Sequence, residues 1–264
     1  MKFSEININD IKDIAIKAGI AIMDIYKKDF DIEYKKDKSP ITQADKISNE
    51  IICSSLEKLY SQIPILSEEN KEILYETRKD WEYYWCIDPI DGTKEFIKKN
   101  GEFTVNIALL HKNIPVLGVV YAPGIGVIYS AKKDEGAYKE LINTRYEISN
   151  KEKLPLHLNN DFTKSITVIA SKSHMSEETQ KYVDELSINT EKLTLVSKGS
   201  SLKLCMIATG EADIYPRLAP TMEWDTAAAD AIIRESGKVI YHFKSNILLQ
   251  YNKEQLVNPW FICQ

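Results

Sequence analysis

The 264-residue sequence contains no uninterrupted apolar run of about 18 residues, the length a membrane-spanning helix requires. Cysteine is scarce: Cys53, Cys86, Cys205 and Cys263 are far apart and include no Cys-x-x-Cys pair. That spacing argues against a disulfide scaffold and a thiolate zinc site, and reads as reduced thiols in a cytosolic protein. The four histidines, His111, His157, His174 and His242, form no ligand pair either. The opening stretch MKFSEININDIKDIAIKAGIAIMDIY lacks the unbroken apolar core of a secretory leader. Cytoplasmic residence is therefore expected, with peripheral contact at the inner membrane face as an alternative. Positive charge is in deficit: 34 Lys and Arg against 39 Asp and Glu give −5. A chain of that sign has no global field to gather a nucleic acid, and no basic stripe interleaved with aromatics offsets it. To handle phosphate it needs a local device: a basic pocket, a helix N-terminus or a metal ion.

What is present is ordinary for a globular protein, with 44% hydrophobic and 28% charged residues. The length suffices for one large domain or two modest ones. Ile8, Ile11, Ile14, Ala15, Ala18, Ile22 and Ile25 recur at helical spacing and predict a first amphipathic helix. A basic stretch, KKDKSP, ends it, and a second helix follows from about Gln43. IPILS (63–67) and YYWCID (83–88) read as strands, the latter ending in a turn at Pro89. FTVNIALL, PVLGVVYAP, GVIYSAK and GAYKEL read as a meander. Residues 142–163 are polar and aperiodic, which places a boundary between an α+β domain, 1–142, and an α/β domain, 143–264. The second domain alternates strand and helix through Ser236, with strands expected near 238–241 and 246–250.

Four places put acids beside structural breaks. In Asp88-Pro89-Ile90-Asp91-Gly92-Thr93 the commonest turn residues follow a strand, so a plain turn is one reading. Yet Pro89 stiffens the exit, Gly92 lets a ligand approach the backbone, and the Gly92 and Thr93 amides stand where a helix starts. Thr42-Gln43-Ala44-Asp45 is a capping box, which alone explains Asp45. Ser67-Glu68-Glu69-Asn70 alone is a solvated loop, and Asp225 alone is an acid complementing a helix dipole. Together they are costly: two carboxylates 4 Å apart repel by about 4 kcal/mol at an effective dielectric of about 20. Oxygen donors without imidazole or thiolate select a hard cation, Mg²⁺ before Zn²⁺.

CIDPIDGTKEF (86–96) and EWDTAAADAIIRESG (223–237) resemble the two signatures of the inositol monophosphatase superfamily, lithium-sensitive Mg²⁺-dependent phosphatases. SPITQAD (39–45) and ILSEE (65–69) are similar to the shorter blocks before the first signature. All four occur in the family's order, over nearly the whole chain. ASKSHMSEET (170–179), GSSLKLC (199–205) and YPRLAPTMEWD (215–225) look most like its CysQ-type branch, the 3′(2′),5′-bisphosphate nucleotidases.

The resemblance implies an αβαβα layered sandwich and hydrolysis of the 3′-phosphate of adenosine 3′,5′-bisphosphate, with its 5′-phosphosulfate analogue as a further substrate. It implies two Mg²⁺ ions: one at Glu68, Asp88 and the Ile90 carbonyl, one at Asp88, Asp91 and Asp225. A weaker third would bind near Glu68 and the 34–45 loop. Asp45 and Thr93 would act on the attacking water, without a covalent intermediate. Gly92, Thr93, Ser173, His174, Ser200, Lys203 and Arg217 would contact substrate, with Lys203 and Arg217 on a second phosphate. Each substrate residue also has a bland reading: Lys203 as a solvated helix face, His174 as a surface histidine, Ser200 as a helix cap. Lys35, Lys36 and Lys38 would form a basic lid, or simply a solvated loop. The expected partner is a small phosphorylated nucleotide, with no nucleic acid, in a monomer or homodimer. The competing readings are an inositol phosphatase on the same device and a catalytically silent nucleotide or metal sensor.

Overall fold

Alternating apolar and polar residues divide the chain between one large sheet and the helices that coat it. The structure, a computed structural model, describes residues 3–34, 40–70, 73–159, 161–170 and 176–264. Helix α1 (Ile8–Tyr26) starts at Asn7, whose side chain accepts from the Asn9 amide at 3.1 Å. Strands β1 (Ile32–Tyr34) and β2 (Pro40–Thr42) pair antiparallel and lead into α2 (Gln43–Leu59). Then come β3 (Ile65–Ser67), a short helix α3 (Tyr75–Arg78), β4 (Tyr83–Asp91) and a short helix α4 (Thr93–Ile97). The meander is β5 (Thr104–His111), β6 (Ile114–Ala122), β7 (Val127–Lys132), β8 (Gly136–Ile142) and β9 (Ile148–Lys153). Strands β3 to β9 form a seven-stranded sheet in sequential order, antiparallel except where β3 lies beside β4.

The second half contributes β10 (Ser165–Ile169), α5 (Glu177–Ile188), β11 (Lys192–Val196), α6 (Leu202–Thr209), β12 (Tyr215–Arg217), α7 (Ala227–Glu235), β13 (Ile240–His242) and β14 (Phe261–Cys263). Strands β10 and β11 pair in parallel, β14 lies between β12 and β13, and a Val168–Ile214 bridge joins the two groups.

Period-2 alternation assigns each strand face to a core. Trp85, Ile87, Ile107, Leu109, Val119 and Tyr121 pack with α1 and α2. Tyr84, Cys86, Ala108, Leu110, Val120 and Ala122 pack with α6 and α7. Beyond those helices, Phe261 and Cys263 of β14 face the same core, whereas Ile262 faces a third one with Val183 of α5. The layers are therefore helix, sheet, helix, sheet, helix, as the resemblance implied. Helix α7 lies hard against β6: a Cβ on Gly118 would sit 2.1 Å from the Ala228 carbonyl oxygen, so only glycine permits this approach. Each fully buried isoleucine of α7, Ile232 and Ile233, stabilises this contact by about 2 kcal/mol. No helix among the described residues is long and apolar enough to cross a membrane.

Three sequence expectations are corrected. The sheet continues past residue 142, because β9 pairs with β8 across the turn at 143–147. That strand is exposed along nearly its whole length, so no apolar pattern marked it. The expected strand at 246–250 is reduced to one Tyr241–Leu248 bridge, and the partner of β13 is β14, 19 residues after His242. Finally, β4 does not stop before Pro89. It runs to Asp91, and its register against β5 shifts between Asp88 and Asp91.

Candidate active site

The register shift in β4 carries the first two acids. A bulge bends a strand and re-aims its side chains, and here it follows Asp88 directly. The Asp88 Oδ1 accepts from the Ile90 amide at 3.1 Å, and the Pro89 carbonyl accepts from Ser48 Oγ at 2.8 Å. Helix α2 thus fixes the turn from below. Gly92 takes φ +90° and starts α4; a Cβ there would meet the Glu102 carbonyl oxygen and Ser200 Cβ at 3.2 Å. Helix α2 also secures the Glu68 segment: Ser67 Oγ donates to Asn49 Oδ1 at 2.7 Å, and the Ser67 amide donates to Asn70 Oδ1 at 2.6 Å.

Asp45 caps α2 and also reaches Thr93. Its Oδ2 accepts from the Thr42 amide and the Thr42 hydroxyl, each at 2.7 Å. Its Oδ1 accepts from Thr93 Oγ1 at 3.3 Å, and Thr93 lies 3.4 Å from the Ile90 carbonyl oxygen. The two readings of the sequence were therefore not alternatives, because the carboxylate has an oxygen for each. Burial pushes the Asp45 acid up to about 6, the two Thr42 hydrogen bonds oppose that, and the charges of Glu69 and Glu68 add to it.

Asp225 comes from the other half of the chain, in a 3-10 turn (Glu223–Asp225) before α7, and its Oδ2 accepts from the Met222 amide at 2.8 Å. Asp88, Asp91 and Asp225 each offer an oxygen, and these oxygens lie within 4.8 Å of one another. Glu68 lies outside that group but lines the same cavity. Burial, then the carboxylates of Glu68, Asp91 and Asp225, pushes Asp88 well above the usual carboxylate range. Burial and then Asp91 push Asp225 up to about 8. Burial raises Asp91 as well, against the pull of Lys203 and Ser201. Burial and mutual repulsion disfavour the ionised form of these acids, and a divalent cation among them would offset that cost by attracting each carboxylate. The all-oxygen donors fit Mg²⁺.

The cluster opens into a cavity of about 650 Å³, a size that suits a nucleotide. Gly92, Thr93, Ser200, Lys203 and Arg217 line it together with Glu68, Asp88, Asp91 and Asp225. Lys203 is not a solvated face: its ammonium donates to the Ser200 carbonyl oxygen at 2.7 Å and stands 5.9 Å from the Tyr215 ring. Burial lowers its pKa, with Asp91 opposing and Arg217 assisting. Arg217 Nη2 donates to the Pro220 carbonyl oxygen at 2.9 Å, whereas its buried Nε has no partner among the described residues. Ser200 is not the helix cap; Ser201 precedes α6, and Ser200 sits at φ +47° with its Oγ 3.3 Å from Thr104 Oγ1. Ser173 and His174, and the basic Lys35, Lys36 and Lys38, lie outside the described residues. Sequence reasoning missed Ser48, Asn49, Asn106 and Ser201. For Ser201 the signal was adjacent, in the repeated serine of GSSLK.

Known proteins match this chain over nearly its full length. The model of the Inositol monophosphatase family matches residues 5–260. The 3′(2′),5′-bisphosphate nucleotidase CysQ of Salmonella typhimurium is 42% identical over 250 residues, 94% of this chain and 95% of that protein. The crystal structure of CysQ from Bacteroides thetaiotaomicron, a bacterial member of the inositol monophosphatase family, superposes with a TM-score of 0.86 at 42% identity, covering 98% of this chain and 96% of that one. The extragenic suppressor protein SuhB of Bartonella henselae shares the fold at 21% identity, with a TM-score of 0.75 over 97% of this chain and 92% of its own.

Proposed function

Because the chain belongs to the inositol monophosphatase family, we propose that it removes the 3′-phosphate of adenosine 3′,5′-bisphosphate, giving AMP and phosphate. It is an enzyme of the 3′(2′),5′-bisphosphate nucleotidase type, the name carried by relatives about 40% identical over nearly the whole chain. The observation that carries this reading is the cavity. The Asp88, Asp91 and Asp225 cluster forms one part of its lining, and the cations of Lys203 and Arg217 form another. A substrate with two phosphates needs both.

The residues take these roles. Glu68, Asp88 and the Ile90 carbonyl would hold one Mg²⁺, and Asp88, Asp91 and Asp225 would hold a second. When bound, Mg²⁺ polarises the phosphoryl group, lowers the pKa of the attacking water and stabilises the leaving oxygen. Thr93 Oγ1 accepts the water's proton and donates its own to Asp45 Oδ1, 3.3 Å away. A carboxylate raised to about 6 is a better base near neutral pH than one at 3.8. The Gly92 and Thr93 amides contact the departing phosphate. Arg217 and Lys203 bind the phosphate that is not cleaved, and Ser200 contacts the substrate from the same cavity wall. No protein group is alkylated or phosphorylated on this route.

A phosphate-release panel tests the assignment, with adenosine 3′,5′-bisphosphate, its 5′-phosphosulfate analogue, inositol 1-phosphate and fructose 1,6-bisphosphate, each with Mg²⁺. The bisphosphate nucleotide is expected to give the highest kcat/KM; preference for inositol 1-phosphate refutes the assignment. Loss of a charged phosphate contact is worth about 1.5–3 kcal/mol. Arg217→Ala should therefore raise KM for the bisphosphate by about 10–100-fold and barely change turnover of a simple monophosphate ester. Equal loss on both substrates would remove Arg217 from the second-phosphate role.

A further inference from the structure

A buried polar chain lies beneath the carboxylate cluster, and the roles assigned above leave it unused. Thr104 Oγ1 donates to Asn106 Oδ1 at 3.0 Å, and Asn106 Nδ2 donates to Ser201 Oγ at 2.9 Å. Ser201 Oγ lies 2.9 Å from Asp91 Oδ2 and 2.8 Å from the Asp225 carbonyl oxygen, both acceptors. Thr104, Asn106 and Ser201 are 0%, 1% and 3% exposed, with Ser201 at the wall of the cavity.

We propose that Ser201 and Asn106 are positioning residues that join Asp91 to the Asp225 backbone and thereby set the Mg²⁺ affinity of the site. The proposal rests on the Mg²⁺ reading given above. Hydrogen-bond polarity orients these groups. Asn106 receives at its carbonyl and gives from its amide, so the chain has one direction, toward the acids. With one Ser201 lone pair filled by Asn106, the single hydroxyl proton is left for Asp91 and the Asp225 carbonyl. A charged acceptor takes the stronger share of such a bond. Asp91 ends β4 in the first half of the chain, and Asp225 precedes α7 in the second. One hydroxyl therefore spans the gap between ligands 134 residues apart in sequence. The Ser201 backbone also favours the ionised form of Asp91, an influence that survives truncation of the side chain. Ser201→Ala thus isolates the hydroxyl.

Partners that orient metal ligands change affinity by about 10–100-fold when removed. The experiment is calorimetric titration of Mg²⁺ into the full-length protein without substrate, for the native chain, Ser201→Ala and Asn106→Ala. Ser201→Ala is expected to weaken Mg²⁺ binding by about 10–100-fold, and Asn106→Ala by a smaller factor. A merely structural role would lower the melting temperature and leave the Mg²⁺ affinity of the folded protein unchanged. That result in Ser201→Ala overturns the proposal, and if Ser201→Ala does not fold, an unchanged affinity in Asn106→Ala does so. A native chain that binds no Mg²⁺ overturns the metal reading itself, a separate outcome.

Discussion

Stripping Mg²⁺ from this protein should make its folding stability fall as the pH rises from acid to neutral, the reverse of the usual behaviour of paired carboxylates. The Asp225 acid is pushed up to about 8 in the folded chain, by burial first and by Asp91 next, from an ordinary value of 3.8. Between those two values the folded chain keeps a proton that the unfolded chain has released. Stability is therefore lost progressively through that window and changes no further above it. At 1.36 kcal/mol per pH unit the loss reaches about 6 kcal/mol by pH 8. That is a large part of the 5–15 kcal/mol that holds a typical domain folded. Asp88 and Asp91 share the repulsion, so their contributions do not simply add to this one. A bound cation opposes that loss, and its whole contribution at a hundredfold excess over Kd is about 3 kcal/mol. In a chain of this length 1 kcal/mol moves Tm by about 2–4 °C. Melts followed by circular dichroism, with EDTA or with a hundredfold excess of Mg²⁺ over Kd, should differ by about 5–10 °C at pH 8. The gap should close toward about pH 5, where protons displace the cation. Parallel Tm curves across that range would refute the reasoning, because the three acids would then titrate as they do in the unfolded chain.

Two further outcomes follow from individual hydrogen bonds. Thr93→Val keeps the shape of the side chain and removes the hydroxyl that donates to Asp45; kcat should fall by about 10²–10⁴-fold with KM little changed, measured by phosphate release at saturating Mg²⁺. Asp230 is fully buried on α7, pairs with Arg234 through two bonds of 2.9 and 3.0 Å, and accepts from the Tyr251 hydroxyl at 3.1 Å. Asp230→Ala leaves the Arg234 guanidinium with the Leu249 carbonyl, and denaturant melts should show a loss of about 3–5 kcal/mol.

The sequence by itself determined whatever rests on neighbouring residues. The spacing of Ile11, Ile14, Ala15, Ala18 and Ile22 specified α1, and the alternation in FTVNIALL and PVLGVVYAP specified strands with two buried faces. Gly92 at a break and the Thr42–Asp45 cap were legible for the same reason, since a cap and a glycine at positive φ are decided within a few residues, whereas the bulge that carries β4 on to Asp91 depends on its pairing with β5. Residue resemblance extended that reading to the layered fold. Tertiary structure decided where these local pieces meet. Asp45 reaches Thr93 across 48 positions, and Ser201 meets Asp91 across 110. The exposed β9 and the short β14 were not legible because backbone pairing with a distant strand defines them, and such pairing leaves no period in the side chains. Lys203 was expected at the substrate, with a solvated helix face as the bland alternative, and only the way α6 opens its first turn into the cavity separates the two. The identity of each acid was written in the chain. That three of them stand within 4.8 Å, raising one another's pKa, follows only from packing α7 against the sheet that ends in Asp91.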